Sequence, residues 1–258
     1  MTYKTFSEHK IIRWNGELKK TNDFLVEEVP IAIEYNGISH AVMLATPSDL
    51  EDFALGFSIT EEIIQSPDEL YDCEIIEEKE GLLLALKISS ERLFSLKDRK
   101  RSLAGKTGCG LCGLENIKHA SRPPEPIRQN IKIEPEIIHN GFHAMEDMQK
   151  LKQKTGASHA VAWMNTKGEI ILIREDVGRH NALDKIIGAL YRTKTDLSDG
   201  MILTTSRASY EMIEKTAIAK ISAFAARSAP TALAVHMAKK IGIKLIGFVK
   251  EKSHVIYT

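Results

Sequence analysis

Residues 160–185 read AVAWMNTKGEIILIREDVGRHNALDK, and their pattern sets the fold class. Residues 160–164 and 170–173 are short apolar runs of strand length around a Lys167-Gly168 turn. The second run gives way to charged residues, and Asp176 is placed to cap a helix over about residues 178–191. Upstream, residues 136–154 read as a helix. Downstream, the spacing predicts a buried strand at 201–204, a helix over 210–221 and a short strand at 224–226. A helix over 230–241 and strands at 245–249 and 255–257 follow. Short apolar strands alternating with helices imply an α/β layer with a largely parallel sheet.

The first half has a different character. Residues 29–35 and 38–45 flank Asn36-Gly37, a strong two-residue hairpin signal. Thr46-Pro-Ser-Asp49 then opens a helix with apolar spacing at Leu50, Phe53, Ala54 and Phe57. Residues 71–76 and 82–88 suggest a second hairpin about Glu80-Gly81. Pro123, Pro124, Pro126 and Pro135 fall within residues 121–135, an extended linker unsuited to regular structure. The division expected is a β-rich domain over 1–120, a linker over 121–135 and an α/β domain over 136–258. The order helix, strand, strand, then helix–strand units is that of the cytidine deaminase fold. Deaminase chemistry needs H-x-E and P-C-x-x-C. Here no histidine is followed two residues later by glutamate, and the C-x-x-C precedes this region.

A chain of 258 residues with 43% hydrophobic and 27% charged residues can build a sizeable core unaided. Its net charge of +0 predicts no bulk attraction to nucleic acid or to an anionic membrane. No apolar run reaches spanning length, and Met1 to Lys10 is polar with no signal-like core, so the expectation is a cytoplasmic protein. Cysteines stay reduced there. Cys73, in a strand-like segment, reads as a small buried hydrophobe.

The other two cysteines carry the clearest chemistry. Thr107-Gly-Cys-Gly-Leu-Cys-Gly113 sets Cys109 and Cys112 among three glycines, just after Arg99, Lys100, Arg101 and Lys106. Nearby cations favour the reactive thiolate, and glycines allow close approach of a partner. A thiol pair on a basic, flexible segment points to sulfur or redox chemistry. Two other readings stay open. With His139 and His143 the pair could make a Cys2His2 zinc site in an interaction protein, although 26 residues separate Cys112 from His139. Alternatively the thiols are redox sensors of a nucleotide-binding regulator. Gly105-Lys106-Thr107 is no phosphate loop, because the first glycine of that motif is replaced by Lys100.

Ligands of open α/β sheets bind beyond the carboxyl ends of the strands. Polar segments follow three predicted strands: Arg174 to Asn181, Thr205 to Ser209 and Lys250 to His254. Arg179, Arg207, Lys250 and Lys252, with helix N-terminal amides, suit phosphate groups. His180 reads as a hydrogen-bonded structural histidine.

Four motifs together carry a resemblance. They are the Cys109 segment, Glu175 to Lys185, Ser206-Arg-Ala-Ser-Tyr-Glu-Met212, and Leu245 to Phe248 with Tyr257-Thr258. From about residue 20 to its end the chain resembles the formate dehydrogenase accessory sulfurtransferase family, FdhD. The resemblance implies a cytidine-deaminase-like domain with a smaller β-rich N-terminal extension. It implies a sulfurtransferase that takes persulfide sulfur from an IscS-type cysteine desulfurase. The sulfur then passes to the molybdenum cofactor, bis-molybdopterin guanine dinucleotide, before insertion into formate dehydrogenase. The family's persulfide cysteine maps to Cys109 and its second cysteine to Cys112, with no resident metal. Its cofactor-binding stretch maps to Phe248, Val249, Lys250, Glu251, Lys252 and Ser253. Ser253 stands where relatives often carry arginine, which leaves Lys252 as the nearby point charge. The sequence does not set the oligomeric state, and a homodimer is an open alternative to a monomer.

Overall fold

The computed structural model describes residues 3–104, 124–127 and 131–258. It begins with a ribbon that the hydrophobic pattern does not announce. Strands β1 (Phe6–Trp14) and β2 (Leu18–Val26) pair antiparallel, with Phe6 opposite Val26 and Trp14 opposite Leu18. Both faces of this ribbon carry charged residues, so no alternation marks it. The two hairpins expected next are present. β3 (Val29–Tyr35) and β4 (Ile38–Ala45) turn through Asn36 and Gly37 at φ 49° and 81°, the left-handed pair that such a turn requires. β5 (Leu70–Glu78) and β6 (Gly81–Ile88) form the second. β3 and β6 pair in parallel, giving a four-stranded sheet in the order β4-β3-β6-β5.

Helix α1 (Leu50–Thr60) covers one face of this sheet, where Phe53 and Phe57 pack on Ile31, Ile33, Leu84 and Leu86. Asp49 precedes it in the left-handed region, and its carboxylate lies 3.4 Å from Arg174 Nε instead of capping the helix. After β6 comes α2 (Ser90–Ala104). Arg99, Lys100 and Arg101, expected on a flexible segment, therefore belong to a helical backbone. Ser89 Oγ accepts the Arg92 N–H at 3.2 Å, and Glu91 to Arg101 is made largely of good helix formers.

The predicted single helix over 136–154 is two: α3 (Pro135–Met148) and α4 (Lys150–Thr155). The break falls at Gln149, because the Glu175 carboxylate accepts the Leu151 and Lys152 N–H groups at 2.8 and 2.9 Å and so starts a new helix there. Next come β7 (His159–Asn165), β8 (Ile170–Asp176), α5 (Arg179–Arg192) and β9 (Gly200–Thr204). The chain closes with α6 (Tyr210–Ile218), β10 (Ala223–Ala226), α7 (Ala232–Ile241), β11 (Lys244–Gly247) and β12 (Val255–Ile256). The strands form one six-stranded sheet in the order β12-β11-β10-β9-β7-β8.

This sheet is mixed, not largely parallel. β9, β10 and β11 run parallel, while β7 is antiparallel to both of its neighbours and β12 to β11. The four residues between β7 and β8 are too few for a crossover, so they make a hairpin. One consequence positions the site: β8, β9, β10 and β11 all end at the same edge, where β7 begins. Helices α5, α6 and α7 pack on one face of the sheet and α3 on the other, through Phe142 and Met145. That three-layer α/β arrangement with a smaller β-rich N-terminal sheet is the expected fold class. Among the described residues no helix is long and apolar enough to cross a membrane.

The two sheets meet where α1 crosses α5 at Gly56 and Gly188. A methyl group on Gly56 would lie 1.7 Å from the Asp184 carbonyl oxygen, and one on Gly188 1.9 Å from that of Asp52. The helices thus touch backbone to backbone. Gly188→Ala should lower the unfolding free energy by about 3 kcal/mol, at the upper end of overpacking costs, because rigid backbone blocks the added atom. Urea titration followed by circular dichroism checks this. An unchanged midpoint would show that the crossing tolerates separation.

Candidate functional site

The shared edge is assembled from four strand ends. β8 ends at Asp176, which is buried and belongs to the strand; the cap position of α5 is Gly178. The Asp176 carboxylate accepts the N–H groups of Thr46 (3.0 Å) and Gly178 (2.8 Å) and the Asn181 amide (3.0 Å). It also pairs with buried Lys185 at 2.7 Å. These bonds fix the first turn of α5, which carries Arg179 and His180. Arg179 is half-buried, and its Nε is buried with no hydrogen-bond partner among the described residues. His180 Nε2 lies 2.9 Å from Glu211 Oε2 and 3.4 Å from Ser209 Oγ.

At the end of β9 come Thr205, Ser206 and exposed Arg207. Ser209 then caps α6, its hydroxyl accepting the Met212 N–H. At the end of β10, the Arg227 N–H donates to the Thr204 carbonyl at 2.8 Å. The Arg227 guanidinium pairs with Glu146 and lies over the Phe142 ring. Thr231 caps α7 in the same manner as Ser209 caps α6. Three helix N-termini therefore meet one edge, each a locus of positive potential.

β11 leads into the stretch from Phe248 to Ser253. Phe248 sits at φ 52° with its ring exposed, and its N–H donates to the Ser228 carbonyl at 3.1 Å. Val249 is buried and donates to the Ala226 carbonyl at 3.2 Å. The Lys250 N–H meets the Ser253 carbonyl at 2.8 Å, closing a tight turn. Lys250, Glu251, Lys252 and Ser253 are exposed. The stretch is thus a turn pinned by Val249, with its charges in solvent.

The topology brings the Arg179, Arg207 and 248–253 segments to the same edge. Arg174 is not part of it. Because β8 runs on to Asp176, Arg174 lies within the strand, and its guanidinium binds Asp52 at 2.6 and 2.8 Å. Cys109, Cys112 and Lys106 lie outside the described residues. Cys73, half-buried on β5, has its thiol pushed up to about 11, chiefly by burial, and stays protonated at neutral pH. His139 meets His254 at 3.0 Å, with the rings edge to face. Among the described residues no group of three or more His, Cys, Asp or Glu side chains is arranged to hold a metal ion.

Sequence reasoning passed over two residues of this edge. Arg227-Ser228 follows β10 much as Ser206-Arg207 follows β9, so the strand-end rule could have found it. His159 arrives only because β7 is antiparallel, which local pattern does not encode. Burial and the nearby Arg179 charge hold the imidazoles of both His159 and His180 below their usual value of 6.5.

Since both folded-state values lie below the unfolded one, the neutral forms stabilise the protein above pH 6.5, and that contribution fades as pH falls below it. An anion at the edge would favour the charged forms and raise both values. Imidazole NMR titrations with and without pyrophosphate should show depressed values in the free protein and an upward shift with the anion. Two unmoved titration curves would place no anion here.

The sequence model of the FdhD/NarQ family matches residues 26–258. Among curated proteins the chain is similar to a sulfur carrier protein FdhD of Cupriavidus necator. The two are 51% identical over 257 residues, which cover 99% of this chain and 88% of that one. It is also similar to a sulfur carrier protein FdhD of Variovorax paradoxus, 48% identical over 92% of this chain and 85% of that one. Among solved structures it shares its fold with a crystal structure from Desulfotalea psychrophila described as "a putative formate dehydrogenase accessory protein". The TM-score is 0.76 at 20% identity, covering 99% of this chain and 97% of that one.

Proposed function

We propose that this chain, which belongs to the FdhD/NarQ family, is a cytoplasmic sulfur carrier that serves formate dehydrogenase through its molybdenum cofactor. Cys109 would take persulfide sulfur from an IscS-type cysteine desulfurase. In that exchange the Cys109 thiolate attacks the outer sulfur of the donor's persulfide. A new S–S bond forms on Cys109, the donor's S–S bond breaks, and the donor cysteine leaves as a thiolate that takes up a proton. No outside oxidant or reductant is needed. Cys112 is the second thiol, in a resolving or relay role.

The observation that carries the acceptor side is the shared edge. Three helix N-termini and the half-buried Arg179, whose Nε has no hydrogen-bond partner among the described residues, offer positive charge and N–H donors at one edge. A bis-molybdopterin guanine dinucleotide brings two pyrophosphates and two guanines. Arg179, Arg207, Lys250 and Lys252 suit the phosphates, and the exposed ring of Phe248 suits a guanine face. Glu251, Val249 and Ser253 complete the turn that holds Lys250 and Lys252. The cofactor is cargo here, and no resident metal is proposed. The names of the curated relatives support the carrier role.

Cys109→Ser should abolish formate dehydrogenase maturation in cells lacking the native copy while leaving the protein folded. Mass spectrometry after incubation with a desulfurase and cysteine should show sulfur added to the wild type at Cys109 and none at the protonated Cys73. Full maturation by the variant would end the persulfide reading.

GDP should bind more tightly than guanosine, because a charge-assisted bond to phosphate contributes roughly 1.5–3 kcal/mol. Lys252→Ala should therefore weaken GDP binding about tenfold or more in calorimetry. Equal affinities for GDP and guanosine would exclude a phosphate-centred site.

A further inference from the structure

The β1–β2 ribbon ends in a tip that the described residues leave uncovered. Its base is held where Phe6 and Phe24 pack edge to face at 5.6 Å and Lys154 of α4 lies 3.4 Å over the Phe24 ring. Beyond that base, residues 12–20 are all exposed. The chain reverses at Asn15 and Gly16, where the Asn15 N–H donates to the Glu17 carbonyl at 3.1 Å and Gly16 takes φ 79°.

The register sets Trp14 opposite Leu18, Ile12 opposite Lys20 and Lys10 opposite Asn22, so these six share one face. Along that face the chemistry is layered. Farthest out are Trp14 and Leu18, 70% and 71% exposed, with Ile12, 64% exposed, beside them. Behind lie Lys20 and then Lys10. At about 3.4 Å of rise per residue, Lys20 stands roughly 7 Å behind Leu18 and Lys10 roughly 14 Å behind Trp14. The opposite face adds Arg13 and Lys19, paired with Asp23 at 3.0 Å and Glu17 at 2.7 Å. Both pairs are exposed, so they hold their cations weakly and exchange them readily. Over residues 10–20 the charges are Lys10, Arg13, Lys19 and Lys20 against Glu17 alone.

We infer that this tip docks on the surface of an anionic lipid bilayer. Trp14, Leu18 and Ile12 enter the outer edge of the hydrocarbon, and Lys20, Lys10, Arg13 and Lys19 meet lipid phosphates. An apolar end backed by a cationic collar matches the order of a leaflet, with hydrocarbon inside and phosphate behind. Surface-bound segments bury their apolar side roughly 5–10 Å deep, the depth at which Lys20 reaches headgroup level. Tryptophan favours that interface, and lysine stems lie along it with the charge in water. A protein partner fits this tip less well. Its nine residues fall short of the roughly 20–30 a side of a stable protein interface. A bilayer asks only for a few apolar side chains and cations. The chain's net charge of +0 does not oppose the contact, because charges beyond a screening length of about 8–10 Å act little on the tip. The contact is peripheral and reversible. The inference is independent of the sulfur-carrier reading.

Co-sedimentation of the full chain with lipid vesicles tests it. Vesicles of phosphatidylcholine mixed with phosphatidylglycerol should pellet the protein. Vesicles of phosphatidylcholine alone should hold it about tenfold or more less tightly, since each cation near an anionic surface contributes roughly fivefold. Trp163 is buried, so a change in tryptophan emission reports Trp14. That emission should move to shorter wavelength on the mixed vesicles and be quenched by brominated acyl chains. Trp14→Glu, at an exposed position, should weaken binding about tenfold or more with an unchanged melting temperature, because a charge resists burial in hydrocarbon. Trp14→Phe should keep most of the binding and lose the emission shift. Lys10→Gln with Lys20→Gln should remove most of the preference for the anionic vesicles. A wild type that stays in the supernatant, binding indifferent to Trp14→Glu, equal binding to both vesicle types, or a preference untouched by the lysine changes would each overturn the proposal. A tip that serves a protein partner instead would give the first of these results.

Discussion

The contact on which the rest depends is the crossing of α1 and α5 at Gly56 and Gly188. Each glycine leaves room for the other helix's backbone, where even one methyl group would overlap a carbonyl. Because no side chain separates the helices, the groups beside the crossing are drawn into close and specific pairs. Asp52 of α1 receives Arg174 and Arg192, each at 2.6 Å. Asp184 of α5 receives Thr60 at 2.7 Å and Lys215 at 3.0 Å. Lys185 bridges Asp176 at 2.7 Å and the Thr46 carbonyl at 2.9 Å. Buried ionic groups of this kind add little net stability over an apolar contact, yet losing one partner is costly, so they favour one relative placement of the helices.

That placement reaches the candidate site directly. α5 begins at the shared edge, and the same Asp176 that ties Lys185 and Thr46 holds the N–H of Gly178. The orientation of Arg179 is therefore set by a junction to which the N-terminal sheet contributes through the Thr46 loop. That sheet also feeds α2, from which the chain continues to Cys109 and Cys112.

What was legible in the sequence was local. Asn36-Gly37 announces its hairpin because only a left-handed pair makes that turn. The α/β alternation after residue 136 is visible because buried strands there are short, apolar and separated by amphipathic helices. What was not legible depends on partners distant in sequence. The break at Gln149 needs Glu175, and the arrival of His159 at the edge needs the antiparallel setting of β7. The β1–β2 ribbon has no buried face to impose a period. Arg174 misled because the predicted strand stopped at residue 173. One more turn of the pleat carries its side chain toward α1 and Asp52. The strand-end rule did locate the segments of Arg179, Arg207 and Lys250, since it depends only on where strands stop.

Phe248 shows how such an edge can hold an unfavourable conformation in place. A bulky residue at φ 52° is strained, at a cost of roughly 1–3 kcal/mol. Its neighbours over-determine it. Its own N–H is held by Ser228, the next N–H by Ala226, and the Val249 side chain is buried beneath the turn. Gly247, just before it, packs so closely that an added methyl group would lie 2.8 Å from the Pro230 ring. The backbone therefore cannot relax toward an extended path, which would carry the Phe248 ring and the following lysines elsewhere. A strand continuing straight past Gly247 would leave the edge bare. The turn instead seats Val249 with Ile138 and Phe142 on the α3 side of the sheet, and His254 just beyond it meets His139 of α3 at 3.0 Å, so Lys250 and Lys252 are carried at the end of the sheet with their charges in solvent.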